Sequence, residues 1–330
     1  MESPSQSRPE ISVIIMAYNR RDFVKDALHS VLTQTLPRVK YEIILLKNYY
    51  DTEIDKYAAS NNVILIFCSE KIIGRMVWTG IEAARGEIIS FLDDDDLFTP
   101  NKLEVVSELL SDKSVGYYHN SVQIISNNPL GSKLFRFKQF SKATIFGRIG
   151  SSKTEILKLL DNNATFNSSS VSVRRDFLNQ WKSLIGATTT GPGFTLFFIS
   201  LLSSKLNFMD SRRLTVFRSH SSLSNPHGKP SERIKGKVTN LENAIAALSL
   251  IANVTENVLY RSIMNYKITE LRIWCCFYGD FNNELVGRQL ATGILRGSPS
   301  YKTLYRFLLA LIAIFWRKLP NPIRQRFLWL

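Results

Sequence analysis

The spacing of apolar positions shifts back and forth between two periods over the first third of the chain. Ile11 to Met16 (ISVIIM), Tyr41 to Leu46 (YEIILL), Val63 to Phe67 and Ile88 to Leu92 are short, nearly continuous apolar runs rich in β-branched residues. Runs of this kind predict strands buried on both faces, as in a parallel sheet. Between them the period lengthens. About Asp22 to Thr33 carries Phe23, Ala27, Leu28 and Val31 on one stripe, and about Thr52 to Ser60 and Arg75 to Ala84 also read as helices. Strands alternating with helices at short intervals predict an α/β fold, a doubly wound and mainly parallel sheet flanked by helices. This is a Rossmann-like nucleotide-binding architecture, and without a Gly-x-Gly-x-x-Gly fingerprint it argues against a nicotinamide dinucleotide.

The pattern continues with a helix at Pro100 to Leu110, a strand at Val115 to Tyr118 and another at Phe166 to Val173, ending at Arg174-Arg175. Residues 126–153 are rich in Lys, Arg, Phe, Ser and Gly and read either as a variable segment or as a solvated basic loop. An apolar strand opens the stretch Leu214 to Asn225. Leu241 to Ile251, Val258 to Tyr278 and Leu285 to Leu295 read as amphipathic helices. The tail differs: Leu304 to Trp316 is strongly apolar and Arg317-Lys318 follow it, with no acidic residue from Leu285 to the end. That run is short of the about 20 residues a membrane span needs. Apolar surface with Trp and flanking Arg and Lys predicts a segment lying in an anionic bilayer interface, with a core or oligomerisation helix as the alternative.

The stretch that organises the rest is Gly86 to Lys102, GEIISFLDDDDLFTPNK. An apolar strand ends abruptly in Asp93, Asp94, Asp95 and Asp96. Four adjacent like charges repel, so a fold that brings them together needs a neutralising partner. A divalent cation with oxygen ligands, Mg²⁺ or Mn²⁺, suits carboxylates better than a soft metal. Ligands of open α/β sheets gather at the carboxyl ends of the strands, where this run falls. The bland alternative is a solvated acidic turn capping the next helix.

Composition refines the picture. A chain of 330 residues with 45% hydrophobic and 21% charged residues is ordinary globular protein, but its net charge of +14 points to polyanionic partners. No nucleic-acid module signature is present, which leaves an anionic membrane surface or phosphorylated substrates, and no nucleic acid is expected as a partner. Cys68, Cys275 and Cys276 provide neither a disulfide framework nor zinc spacing, consistent with a reducing compartment. The polar N-terminus MESPSQSRPE lacks an apolar signal core.

The segments SVIIMAYNR, YEIILL and GIEAARGEIISFLDDDDLFTPNKLE resemble the family 2 glycosyltransferases of the GT-A fold, over about residues 10–225. The resemblance implies transfer of a sugar from a nucleotide-diphospho-sugar, typically with inversion at the anomeric carbon. It implies a donor-binding half at 10–125 and an acceptor-side half of the same domain at 126–229, while the residues outside it read as a disordered lead at 1–9 and a helical C-terminal region at 230–330. It also implies roles. Asp93 and Asp95 occupy the two positions of a DxD motif that holds Mn²⁺ or Mg²⁺ on the diphosphate, Asp95 as the direct ligand. Asp94 and Asp96 face solvent, contact sugar hydroxyls or cap the following helix. Ala17, Tyr18 and Arg20 match positions near the nucleotide, with Tyr18 stacking on the base and Arg20 reaching a phosphate. His220, in a strand-then-R-x-H element with Arg218, approaches the metal from the acceptor side.

Three departures from the family pattern stand out. The acidic turn after the second strand is replaced by Lys47-Asn48-Tyr49-Tyr50-Asp51, which puts a lysine where a carboxylate meets the nucleoside and leaves Asn48 to supply an amide. An Arg-Asn pair in the helix before the metal strand is Val77-Trp78 here, with Arg75 one turn earlier as the substitute phosphate contact. No Asp or Glu lies between Asp176 and Asp210, so Gly193 sits where the general base of an inverting enzyme is expected. His119, Asp176 and Asp210 are the reserve candidates. Two readings follow: a metal-dependent glycosyltransferase, peripheral on the cytoplasmic face of the plasma membrane and acting on a lipid-linked or cell-surface glycan; or a catalytically impaired subunit of the same fold that binds nucleotide-sugar or glycan.

Overall fold

The computed structural model describes residues 8–126, 139–146, 151–219 and 230–278, in two compact units divided after His220. The first begins with the expected alternation: β1 (Ile11–Ala17), α1 (Val24–Leu32), β2 (Tyr41–Lys47), α2 (Thr52–Ser60), β3 (Ile64–Phe67), α3 (Ile73–Ala83) and β4 (Ile88–Asp93). β1 pairs in parallel with β2 and β4, and β2 with β3. All of β2 is buried, as is all of β1 but Met16, which explains their unbroken apolar sequences. α1 buries Val24, Ala27, Leu28 and Val31, largely the stripe read from the sequence. α2 is started by Asp51, whose carboxylate accepts from the backbone N–H groups of Glu53 and Ile54. α3 lies so close to the sheet at Gly80 that a Cβ there would come within 2.7 Å of Ile14.

Beyond β4 the sheet changes character. It continues through β5 (Leu97–Phe98), α4 (Lys102–Leu109), β6 (Val115–Ser126), β7 (Thr144–Phe146), α5 (Lys153–Asp161), β8 (Val171–Arg174), α6 (Lys182–Ala187), α7 (Pro192–Leu201) and β9 (Leu206–Ser219). The order across the sheet is β3-β2-β1-β4-β8-β6-β9-β5, with β7 also on β9. β8 runs antiparallel between β4 and β6, β6 and β9 run parallel along their length, and β5 and β7 pair antiparallel with β9. The sheet is thus parallel across β1 to β4 and mixed beyond, flanked by helices.

The β4–β8 ladder is short. It runs from Ile88 opposite Arg174 to Ser90 opposite Ser172, where the two hydroxyls meet at 2.7 Å. Past that point a 3₁₀ turn, Ser168–Ser170, replaces the strand expected there and lies beside the acidic end of β4.

In the second unit α8 (Pro230–Val254) and α9 (Val258–Tyr278) pack on one another across the Thr255–Asn257 turn. Ala247, Leu248, Ile251, Ile263 and Met264 are buried, and the Arg261 Nε donates to the Thr255 carbonyl at 2.9 Å. Both helices were expected, α8 over a shorter range. Among the described residues no helix is long and apolar enough to cross a membrane. The helix expected at Leu285 to Leu295, the apolar-basic tail and most of the 126–153 segment lie outside the described residues, as does His220.

Candidate active site

The acidic run sits at the carboxyl end of β4, on the edge shared with the ends of β1 and β2: Met16 is in register with Asp93, and Ala17 with Lys47. The four carboxylates do not behave alike. Asp93, Asp95 and Asp96 each bring an oxygen to a common point, these atoms lying within 4.8 Å of one another. Asp94 turns the other way, to the Arg20 guanidinium, which also reaches Asp95 at 2.7 Å. Neither Asp94 nor Asp96 faces solvent: they are 3% and 1% exposed. Asp94 keeps one oxygen, Oδ2, buried without a hydrogen-bond partner.

Such crowding would drive the carboxylates apart without a scaffold, and the turn before β8 supplies one. Ser169 Oγ accepts from the Asp93 N–H at 2.9 Å and donates to Asp96 Oδ2 at 2.7 Å. Asn167, in the left-handed region at φ 65°, donates its amide to the same Oδ2 at 2.8 Å, and the Arg218 N–H reaches Asp96 Oδ1 at 3.0 Å. Behind the turn stands Lys102 of α4, fully buried. It donates to the Ser169 carbonyl and to Thr215 Oγ1 at 2.9 Å, over the face of Phe98 at 3.9 Å. Sequence reasoning missed Lys102, Asn167 and Ser169. Their signals were a lysine beside the apolar Leu103, Val105 and Val106, and a run of small polar residues, FNSSS, before a strand.

Burial dominates the electrostatics. It pushes Asp93 well above the usual carboxylate range, with the charges of Asp96, Asp95 and Asp94 adding to it. Burial likewise raises Asp94 to about 6 and Asp96 to about 7, the latter helped by the Asp95 charge. Three converging carboxylates with an all-oxygen donor set fit a hard divalent cation.

The other expected residues have varied surroundings. Ala17 is fully buried and offers only its backbone, whereas Tyr18 is half-buried at the end of β1. Asn48 is tied to the first loop: it accepts from the Asn19 N–H and donates to Asn19 Oδ1, both at 2.8 Å, with Asn19 held at φ 56°. Lys47 is no cation facing a ligand. It is 4% exposed and spends its ammonium on the Tyr49 carbonyl at 2.7 Å and on Asp55 of α2 at 2.6 Å. Arg75 is more than half exposed and lies 3.7 Å from Glu70. Arg218 gives its Nε to the Asp95 carbonyl and its Nη2 to Asp26.

The reserve bases are differently placed. Asp176 follows β8 at the opposite edge of the sheet, since Arg174 pairs with the first residue of β4, and it binds Lys205 at 3.1 Å. Asp210 is buried and bound to Tyr118 and Arg212. His119 is buried with its Nε2 at 2.7 Å from the Phe166 carbonyl, and burial lowers it to about 4, a neutral imidazole. At Gly193, near the start of α7, a Cβ would sit 3.1 Å from the Asn167 carbonyl group and 3.2 Å from the Ser168 nitrogen. Any side chain at position 193 would therefore crowd the backbone of the scaffold turn.

Fold and site together define an α/β domain that gathers three carboxylates at the carboxyl end of its central strands. Residues 12–181, just over half of the chain, match Glycosyl transferase family 2, and the chain belongs to that family. TuaG of Bacillus subtilis, described as a teichuronic acid biosynthesis glycosyltransferase, is 28% identical over 136 residues, 39% of this chain and 52% of that protein. WfgD of Escherichia coli, a UDP-Glc:alpha-D-GlcNAc-diphosphoundecaprenol beta-1,3-glucosyltransferase, is 26% identical over 125 residues, 37% and 49% of the two chains. The chain thus matches about half the length of these two relatives. Among solved structures, the mannosyltransferase PcManGT of Pyrobaculum calidifontis, in complex with GDP-Man and Mn²⁺, aligns at a TM-score of 0.55 and 13% identity, over 98% of this chain and 84% of that one. The fold is GT-A.

Proposed function

We propose that the protein transfers a sugar, with inversion, from a nucleotide-diphospho-sugar to a lipid-linked or cell-surface glycan. The observation that carries this reading is the convergence of Asp93, Asp95 and Asp96 within 4.8 Å at the carboxyl edge of the sheet, with Arg20 beside them. In this reading Asp93 and Asp95 hold Mn²⁺ or Mg²⁺, Asp96 is fixed by Ser169 and Asn167, and His220 completes the set from the segment after β9. The bound cation supplies charge neutralisation to the departing diphosphate. Arg20 adds a guanidinium suited to phosphate oxygens, as it is to the carboxylates it now holds.

The relatives support the acceptor class: one is described by teichuronic acid biosynthesis and another by a diphosphoundecaprenol acceptor. The net charge of +14 and the basic, apolar tail support work at the inner face of the plasma membrane, where both a nucleotide-sugar and an anionic surface are at hand. A second reading, a binding subunit without turnover, draws on one observation. A Cβ at Gly193 would lie 3.1 Å from the Asn167 carbonyl group, and the sequence has no Asp or Glu between Asp176 and Asp210.

Calorimetric titration of UDP and of GDP with Mn²⁺, on wild type and on Asp95→Ala, tests the donor site. Metal-dependent binding lost in the variant is expected; no binding by wild type would sink the reading. Turnover of the matching sugar nucleotides then separates enzyme from binding subunit.

A further inference from the structure

We propose that the nucleobase is held by stacking on Tyr50, backed by Phe67, and not by an edge-reading side chain of the turn at residues 47–51; the proposal rests on the nucleotide-sugar reading above. Tyr50 is 76% exposed and Phe67 50% exposed, yet their rings are stacked, 4.8 Å between centroids and 11° between planes. Two large aromatic rings ordered against each other in water form a platform, since Phe67 covers one face of Tyr50 and leaves most of that side chain open. Aromatic faces prefer offset stacking, and a base offers a third ring for it.

The platform lies on the edge that carries the acidic cluster. Phe67 ends β3 in the row of Ala17 and Lys47, and Met16, one residue back, is level with Asp93. Three inter-strand steps separate β4 from β3, which at about 4.8 Å each amounts to roughly 14 Å. An extended nucleoside diphosphate covers that span. The residues between are packed together: the Lys47 ammonium lies 5.3 Å from the Tyr49 ring and 5.9 Å from the Tyr50 ring.

Edge reading has no free side chain in this turn. The Lys47 ammonium is bound to Asp55 and the Tyr49 carbonyl, and Asn48 is engaged at both ends with Asn19. Asp51 caps α2, and the Tyr49 hydroxyl is buried. Tyr50 alone of the five presents its side chain to solvent on a large scale. Stacking tolerates every base because each has a π face, so uridine and guanosine nucleotides are expected to bind alike.

The test is calorimetry on the full chain with Mn²⁺, using UDP, GDP and pyrophosphate, for wild type, Tyr50→Ala and Tyr50→Trp. Tyr50→Ala is expected to weaken UDP and GDP together by about 5- to 150-fold, leaving pyrophosphate unchanged, and Tyr50→Trp to restore both. The side chain is exposed, so the unfolding midpoint of Tyr50→Ala should match wild type. Unchanged nucleotide affinity in Tyr50→Ala, or loss for one base only, would overturn the platform while leaving the donor site standing. Absence of nucleotide binding in wild type would remove the donor reading itself.

Discussion

Ser169 bridges the two ends of the acidic run, accepting from the Asp93 N–H at 2.9 Å and donating to Asp96 Oδ2 at 2.7 Å. One hydroxyl thereby orders a strand end and a carboxylate that would otherwise repel its neighbours. Lys102 fixes the same residue from behind, through the Ser169 carbonyl. The cluster is held by a second layer of polar groups, Ser169, Asn167 and Lys102.

Replacing Ser169 by Ala removes both bonds and leaves a buried N–H unpaired. A destabilisation of about 1–3 kcal/mol is expected in urea unfolding. Because groups behind metal ligands set their orientation, Mn²⁺ affinity should also fall by about 10- to 100-fold. A variant that unfolds earlier but binds Mn²⁺ as wild type does would show that Ser169 serves the fold alone.

The raised carboxylates make stability depend on pH with a definite sign. Asp94 at about 6 and Asp96 at about 7 lie above the 3.8 of a free aspartate. The native state therefore holds more protons than the unfolded chain between these values, and stability falls as pH rises through them. Without metal, the melting temperature should drop between about pH 4 and about pH 7. Mn²⁺ should restore it at the upper end, where the ligands are ionised, with affinity rising over the same window. A metal-free melting temperature that climbs with pH across that range would contradict this account of the cluster.

Gly193 tests the close approach of α7 to the scaffold turn. A Cβ there meets the Asn167 carbonyl carbon and oxygen at 3.1 Å, backbone atoms that have little room to give. Gly193→Ala should cost about 1–3 kcal/mol and weaken Mn²⁺ binding through displacement of Asn167, which donates to Asp96. Gly193→Asp should be no more active than wild type, because the added carboxylate has nowhere to sit without moving the turn. Wild-type stability in Gly193→Ala would mean that the contact is looser than the geometry describes.

What could be read in advance followed from local periodicity. The unbroken apolar runs of β1, β2 and β4 announced strands buried on both faces, and the α1 stripe announced its own buried side. β5 and β7 were not legible: they are two and three residues long and exist through pairing with β9. The strand expected at Phe166 to Val173 proved to be a 3₁₀ turn followed by a shorter strand. The turn leaves the ladder to bring Ser169 to Asp93 and Asp96, a long-range demand that no local pattern carries.

The same division runs through the site. Amino-acid order alone determined that four aspartates end a buried strand, because a charged run can follow an apolar strand in a folded protein only at a sheet edge. It also put Lys47 at the head of the turn after β2 and left no Asp or Glu between Asp176 and Asp210. Only the tertiary structure decided which carboxylates converge and which one pairs with Arg20. Only it could show that Lys47 is turned to Asp55, that Asn48 is locked to Asn19, and that Tyr50 is left stacked on Phe67 in the open. Covalent neighbours set charge and period; the partner that satisfies each buried charge comes from residues scores of positions away, and only folding brings it within hydrogen-bond reach.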